Sequence, residues 1–238
     1  MWFTLLSVGV FGFFVSTDLF TMFMFYEVAL IPMYLLIGVW GSGRKEYAAM
    51  KLTLMLMGGS AFLLIGILGI FYGAGGETMN LLEIAKLHIP HEMQRIFFPL
   101  IFLGFGVLGA LFPFHTWSPD GHASAPTAVS MLHAGVLMKL GGYGCFRVAM
   151  YLMPEGAAMW GDVFLILTTI SVVYGAFSAV VQTDLKYINA YSSVSHCGLV
   201  LFALLMMTRT SCTVAILQML SHGLMTASFF ALIGMIYG

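Results

Sequence analysis

Residues 125–152 read APTAVSMLHAGVLMKLGGYGCFRVAMYL, an apolar stretch that is long enough to cross a lipid bilayer as one helix. Lys139 lies near its middle, and Glu27 lies at a comparable depth within the apolar stretch 19–40. A charged side chain at the centre of a bilayer costs about 2.5 to 3.5 kcal/mol on insertion scales. Such residues are usually functional, so we predict that both belong to a path for protons or other ions.

The composition excludes a soluble globular domain. Of the 238 residues, 61% are hydrophobic and only 8% are charged, whereas soluble domains typically carry about 25% charged residues. The formal net charge of −1 provides no basic field that would attract nucleic acid. The chain is therefore predicted to be an integral protein of the lipid bilayer with no nucleic-acid partner.

Apolar runs of about 20 residues predict an all-α polytopic membrane protein with about eight transmembrane helices. The first run lacks a basic n-region and a small-residue cleavage site, so it is predicted to be a span and not a signal peptide. The loop 74–94 is predicted to be an interfacial hairpin or a short amphipathic helix. Its His88 and His91 suggest a metal pair, but a solvated loop is the favoured interpretation. The predicted spans are approximately residues 1–16, 18–40, 47–73, 95–112, 125–152, 162–181, 187–207 and 212–237.

Two local patterns resemble cofactor sites, and both have simpler explanations. The stretch GFGVLG at residues 104–109 has the spacing of a dinucleotide fingerprint, but that fingerprint needs a preceding strand. Inside an apolar span, the same glycines are predicted to let helices pack closely. Cys145, Cys197 and Cys212 occur singly, without the spacing of zinc or iron–sulfur ligands. We expect no metal, no cofactor and no disulfide in this chain.

The candidate proton-relay residues are the ionisable side chains inside the spans, namely Glu27, Lys51, His133, Lys139, His196 and His222. Glu27, Lys139 and His222 lie nine or more residues from the ends of their spans, too deep to snorkel easily to the headgroups. Lys51 lies near a span end, where function and snorkelling are equally good explanations. His133 and His196 are open between proton relay and helix packing.

Lysine, glutamate and histidine suit a proton relay. Histidine has an unperturbed pKa of about 6.5, so it can load and release a proton near neutral pH. A buried lysine becomes a switch when a movable carboxylate alternately pairs with it and separates from it. Glu27 would be that carboxylate, and His196 and His222 would carry protons between lysine sites.

The motifs around these residues resemble a known family. The stretches FPFHTWSPD (112–120), HASAPT (122–127) and AGVLMKLGGYG (134–144) look like the signature of the antiporter-like subunits of proton-pumping NADH:quinone oxidoreductase, and are most similar to subunit M of complex I. Further similar stretches are FYEVALIPMY (25–34), QTDLK (182–186), SSVSHCG (192–198) and MLSHG (219–223). The related families are multi-subunit sodium/proton antiporters and membrane-bound hydrogenases.

The resemblance implies a fold and a set of roles. Residues 1–152 would form one five-helix antiporter-like repeat with a broken helix near Pro113–Pro126, and 153–238 an incomplete inverted repeat. The flavin, iron–sulfur clusters and quinone would sit in partner subunits, and the neighbours would be other membrane subunits, especially antiporter-like ones, in a bacterial inner membrane. The resemblance assigns the central hydrophilic axis to Glu27, Lys139, His196 and His222. It matches Lys51 to a sixth-helix lysine and Lys186 to a cytoplasmic-side loop lysine of less clear role.

Two departures from the family matter. The family usually has a lysine five residues before the proline of the Pro-Phe-His motif, and this chain has Leu108 there. Glu27 therefore lacks its expected partner, and the alternatives are that Lys139 or Lys51 serves it, that His133 supplies the missing group, or that this half-channel works differently. The chain is also shorter than such subunits, so it is expected to be a fragment or truncated chain.

Three functions follow from these observations. The leading one is a proton-translocating membrane subunit of NADH:quinone oxidoreductase, driven by redox chemistry in other subunits. The second is a subunit of a sodium/proton antiporter or of a membrane-bound hydrogenase. The third is a structural scaffold whose buried charges only hold helices together.

Overall fold

A computed structural model describes residues 1–237, and these residues form helices joined by short connections. Five of the helices within this range are long and apolar enough to cross a membrane. The predicted all-helical membrane architecture is confirmed. The helices are α1 Trp2–Val15, α2 Leu19–Trp40, α3 Lys45–Gly73, α4 Leu81–Ile84, α5 His91–Leu108, α6 Trp117–Ser124, α7 Thr127–Leu132, α8 Met138–Gly144, α9 Pro154–Val181, α10 Leu185–Leu205 and α11 Arg209–Tyr237.

Polar residues mark several helix starts. The Asp18 carboxylate accepts a hydrogen bond from the Thr21 backbone N–H (2.9 Å) at the start of α2. Asp184 likewise accepts from the Lys186 backbone N–H (2.8 Å) at the start of α10. Such side chains satisfy the N–H groups that the first turn of a helix leaves without partners. Membrane helices of this chain are thus delimited by local polar signals that the sequence carries.

Some predicted boundaries were wrong. The predicted span 162–181 begins earlier, at Pro154, because proline is tolerated in the first turn of a helix, where its missing N–H would have no partner. The predicted span 95–112 is shifted and becomes α5, which follows Pro90 and ends at Leu108. The loop 74–94 holds the short helix α4 and the start of α5.

The chain is not helical between α5 and α6. Residues 109–116 interrupt the helix, and a second interruption follows at residues 125 and 126. The backbone groups freed by these breaks find partners on other elements. The indole N–H of Trp117 donates to the Val107 carbonyl (2.9 Å), and the Phe112 backbone N–H donates to the Ser171 hydroxyl (2.6 Å). In an apolar environment such replacement bonds are required for a broken helix.

The stretch 125–152 is not a regular α-helix. Two π-helical turns, His133–Leu137 and Cys145–Met150, flank α8. A π turn inserts residues relative to an α-helix and frequently marks a functional site. The angular relation between His133 and Lys139 therefore differs from the one that a regular helical rise predicts.

Glycines bring α5 into contact with its neighbours. A Cβ atom built on Gly141 would lie 2.5 Å from the backbone nitrogen of Gly109 and 2.6 Å from the carbonyl oxygen of Phe105. A Cβ on Gly104 would lie 2.5 Å from Leu63 of α3. The packing interpretation of the glycine motif 104–109 is confirmed. These contacts set α8, which carries Lys139, directly against the end of α5.

We expect Gly141→Ala to lower the thermal stability of the detergent-solubilised protein by an amount equivalent to about 1 to 3 kcal/mol, because rigid backbone atoms fill the space that the methyl group needs. Gly58→Ala is the matched control, since a Cβ at Gly58 meets nothing within 4 Å. The control should be neutral or slightly stabilising. Equal melting temperatures for the two variants would contradict the close approach of α5 and α8.

Candidate proton-relay site

Lys139 lies in the interior of the bundle. It is 6% exposed, and its ammonium group donates to the Ala134 carbonyl within the preceding π turn. The side chain also lines an apolar cavity of about 410 Å³ between α1, α8 and α11, together with Gly135, Tyr143 and Gly223. A buried ammonium with only a backbone acceptor is held much less firmly than one paired with a carboxylate.

His196 and His222 are brought together by α10 and α11. Their rings stack with centroids 4.8 Å apart and an interplanar angle of 28°. The Gln218 side-chain amide donates to Nδ1 of His196 (2.9 Å). His222 is 2% exposed, and neither of its ring nitrogens has a hydrogen-bond partner.

The histidine pair lies next to the helix that carries Lys139. Gly223, the neighbour of His222, packs against the Gly135 carbonyl, and a Cβ built on it would lie 3.8 Å from Cε of Lys139. Small residues on both helices allow this approach. The predicted grouping of Lys139, His196 and His222 in the interior thus has a geometric basis in α8, α10 and α11.

His133 is fully buried in a second aromatic cluster. It stacks on Trp117 with ring centroids 5.4 Å apart and lies 4.2 Å from the ring centroid of His122. Neither ring nitrogen of His133 has a hydrogen-bond partner, and Nε2 of His122 lies 3.2 Å from the sulfur of Met138. Sequence reasoning missed His122 because it assigned residues 113–124 to a connection between spans. The only available signal was its place in the HASAPT motif.

Lys51 neither snorkels freely nor reaches Glu27. Its ammonium group pairs with the Asp120 carboxylate of α6 at 2.7 Å, and the Tyr187 hydroxyl donates to the other Asp120 oxygen at 3.2 Å. Asp120 was also missed as a candidate, although it ends the FPFHTWSPD motif. Lys186 donates to the carbonyls of residues 123 and 125, at 3.3 and 3.2 Å, at the C-terminal end of α6.

Glu27 is half-buried on α2 and stands apart from the other candidates. Within residues 1–237 the one side-chain ion pair is Lys51–Asp120, so neither Lys51 nor Lys139 forms a direct ion pair with Glu27. One carboxylate oxygen of Glu27 is buried without a hydrogen-bond partner. The neighbouring Tyr26 hydroxyl donates to the Leu56 carbonyl (3.0 Å) and fixes this part of α2 against α3. Leu108, at the position where the family usually has the lysine partner of this glutamate, is completely buried.

Nothing in the described part of the chain groups three or more histidine, cysteine, aspartate or glutamate side chains as metal ligands would be grouped. Cys145, Cys197 and Cys212 are unpaired.

Comparison with known proteins places this chain in a family. The family described as NADH:quinone oxidoreductase/Mrp antiporter, TM, matches residues 16–238. A curated relative, NAD(P)H-quinone oxidoreductase chain 4 3 of Picosynechococcus sp., is 44% identical over 227 residues, which are 95% of this chain and 41% of the relative. With the five long apolar helices, these matches establish a multi-pass membrane protein.

Solved structures share the fold. The structure of respiratory complex I from Thermus thermophilus with bound NADH contains a chain with a TM-score of 0.92 and 29% identity, covering 98% of this chain and 50% of that one. The Mrp complex from Dietzia sp. contains a chain with a TM-score of 0.86 and 25% identity, covering 97% of this chain and 43% of that one. The present chain thus spans half or less of the length of these proteins.

We expect His222→Phe to leave the melting temperature of the solubilised protein unchanged or slightly higher. The ring stack on His196 is kept, and no hydrogen bond is lost, because the His222 nitrogens have none. Tyr26→Phe is the comparison variant, which removes the bond to Leu56 and should cost about 1 kcal/mol. A larger loss for His222→Phe than for Tyr26→Phe would show that His222 has a structural partner.

Proposed function

Because this chain belongs to the family of NADH:quinone oxidoreductase and Mrp antiporter membrane subunits, we propose that it is a proton-translocating membrane subunit of a quinone oxidoreductase of the complex I type. The observation that carries the proposal is the buried Lys139 ammonium beside the stacked pair His196 and His222. Redox chemistry then takes place in other subunits, which hold the flavin, the iron–sulfur clusters and the quinone. The partners are other membrane subunits, including further antiporter-like ones.

The relay works because charge is costly in the interior. Lys139 in its protonated form places a positive charge in apolar surroundings, with a backbone carbonyl as its hydrogen-bond acceptor. Passing the proton to a neutral imidazole removes that charge from the lysine and loads the histidine. The unpartnered nitrogens of His222 are free to accept and release protons. This transfer changes no bond between heavy atoms, so it needs only movement of side chains and water.

We propose that the chain crosses the bilayer eight times. The helices α1, α5 with α6, and the segment from α7 to residue 150 cross the bilayer in addition to the five long apolar helices, giving eight crossings. Residues 1–152 form the first antiporter-like repeat, and 153–238 form part of the inverted second repeat. The bilayer is a bacterial cell membrane.

In the proposed relay, His133 supplies the titratable group that the family's usual lysine would supply at position 108. Its ring is fully buried, both nitrogens lack partners, and it touches the α6 helix through Trp117 and His122. Trp117 in turn bonds the Val107 carbonyl, immediately before Leu108. A titratable group therefore lies beside the segment where the family usually has its lysine.

The alternatives are weaker. The family description includes the Mrp antiporter, but the structural match to an Mrp chain has a lower TM-score and identity than the match to the complex I chain. A structural scaffold would pair its buried charges, whereas the Glu27 carboxylate and the His222 ring lack partners. Unpaired buried polar groups lower the stability of the fold. A chain that retains them gains something other than stability, which favours a functional role over a scaffold.

Lys139→Ala in the complete assembly should remove most proton pumping while electron transfer from the donor to an artificial acceptor stays near its normal rate. Pumping is followed by a pH-sensitive dye in proteoliposomes. Lys86→Ala, at an exposed lysine, is the matched control and should pump normally. Loss of electron transfer in equal proportion would indicate failed assembly, and normal pumping would refute the proposed function.

His133→Leu should reduce pumping several-fold, because the titratable group beside the break is lost. Introducing Leu108→Lys into that variant should recover part of the rate by restoring the usual family side chain. The measurement is the initial rate of proton uptake at a fixed rate of electron transfer. A His133→Leu variant that pumps normally would leave Leu108 as an unexplained departure.

A further inference from the structure

A polar cavity of about 170 Å³ lies at one end of the bundle, away from the apolar cavity beside Lys139. It is enclosed by the connection between α2 and α3, by α6 and by the start of α10. The exposed residues Ser42, Gly43 and Arg44 form its rim, so water reaches it from outside. The other polar residues of its wall are Tyr47, Asp120, Ser124, Asp184 and Tyr187.

Asp120 is the acidic group of this cavity that is tied to two different helices. One carboxylate oxygen accepts a hydrogen bond from Lys51 of α3 at 2.7 Å, and the other accepts from Tyr187 of α10 at 3.2 Å. Asp120 is 18% exposed and Lys51 is 23% exposed, so the pair is accessible to cavity water. The remaining charged or titratable groups near the cavity are Arg44, Tyr47, Asp184 and Lys186. His115 and Tyr191 also lie close enough to the Lys51–Asp120 pair to interact with it electrostatically.

Asp184 has a different task from Asp120, although both line the cavity. Its carboxylate caps the start of α10 by accepting from the backbone N–H of Lys186. That bond is part of the helix terminus and is not an ion pair. Asp120 is therefore the carboxylate of this cavity whose partner is a mobile cationic side chain.

The position of α6 depends on these polar contacts. Non-helical residues precede it and follow it, so it is not a rigid continuation of α5 or α7. Lys186 donates to carbonyls at its C-terminal end, and the Ser42 backbone N–H donates to the Ser124 carbonyl at 2.8 Å. A short helix held between two breaks moves as a unit when one of its ties is released.

The same short helix reaches the buried histidines. Asp120 lies on its cavity side, while His122, two residues later, is fully buried against His133. Two residues apart on a helix, these side chains point in different directions. A shift of α6 caused at Asp120 therefore changes the contact between His122 and His133 in the interior.

We infer that Asp120 is the residue at which this chain takes up a proton from water, and that the Lys51–Asp120 pair is the gate that this uptake opens. A hydronium ion in the cavity transfers its proton to the Asp120 carboxylate and leaves a water molecule. The neutral carboxylic acid no longer attracts the Lys51 ammonium as an ion, so α6 is released from α3. Transfer of that proton, through water, to a neutral buried imidazole restores the carboxylate, loads the histidine and re-forms the pair. This inference rests on the proposed function.

The test uses Asp120→Asn in the complete assembly, reconstituted in liposomes. Asparagine keeps the size of the side chain and an oxygen that accepts from Tyr187, but it cannot take up a proton. We expect the pumping rate to fall about tenfold at every pH between 6 and 9, because a positioned group that exchanges protons has been lost. Asp120→Glu keeps a carboxylate and should restore a substantial part of the rate. Glu46→Gln, an exposed carboxylate outside the cavity, is the control and should pump normally.

Lys51→Gln separates proton uptake from structural anchoring. It removes the cation but leaves the Asp120 carboxylate, so the group that takes up the proton is kept while the ion pair is lost. We expect pumping to persist at a reduced rate that stays several-fold above the rate of Asp120→Asn. Equal rates in Lys51→Gln and Asp120→Asn would indicate a purely structural tie and would overturn the inference.

The remaining outcomes are also decisive. Normal pumping by Asp120→Asn, together with lost pumping by Lys139→Ala, would overturn proton uptake at Asp120 and leave the proposed function intact. Normal pumping by Lys139→Ala as well would overturn the proposed function itself. Equal loss in Asp120→Asn and Asp120→Glu, with a lowered melting temperature in both, would show that Asp120 only anchors α6 and would refute the inference.

Discussion

The structure depends on one constraint, which is that backbone polar groups inside a hydrocarbon layer must find partners within the protein. The chain breaks its helix between α5 and α6 and must therefore supply replacements. The Trp117 indole donates to the Val107 carbonyl, the Ser171 hydroxyl accepts from Phe112, and Lys186 donates to carbonyls at the end of α6. These bonds come from distant parts of the chain. The break is thus a product of tertiary structure, and α6 is free to carry functional residues on two sides.

Close helix packing is the second requirement, because lipid offers no hydrophobic drive for helices to associate. Gly141 meets the backbone of Gly109, and Gly223 meets the Gly135 carbonyl. These contacts place α8 between α5 and α11. They bring Lys139 within reach of the helix that carries His222, without any ionic bond between the two residues.

Lys51 and Lys139 have opposite environments, and this difference organises the proposed mechanism. Lys51 has a carboxylate partner beside a water-accessible cavity, whereas Lys139 has a backbone carbonyl beside an apolar one. An ion pair near water forms and separates at little cost, since water solvates the free ions. A lone ammonium in apolar surroundings favours proton release instead. The first arrangement suits uptake and gating, and the second suits relay.

The sequence by itself determined the membrane class, the approximate helices and the depth of Glu27, Lys139 and His222, because hydropathy is a local property of consecutive residues. Only the tertiary structure decided which side chains meet. Lys51 and Asp120 are 69 residues apart in the chain, so no local pattern reveals their pair. The contact of His122 with His133 and the isolation of Glu27 likewise arise from how separate helices pack. The π turns beside Lys139 also escaped sequence reasoning, because a small change in hydrogen-bond register leaves the apolar pattern almost unaltered.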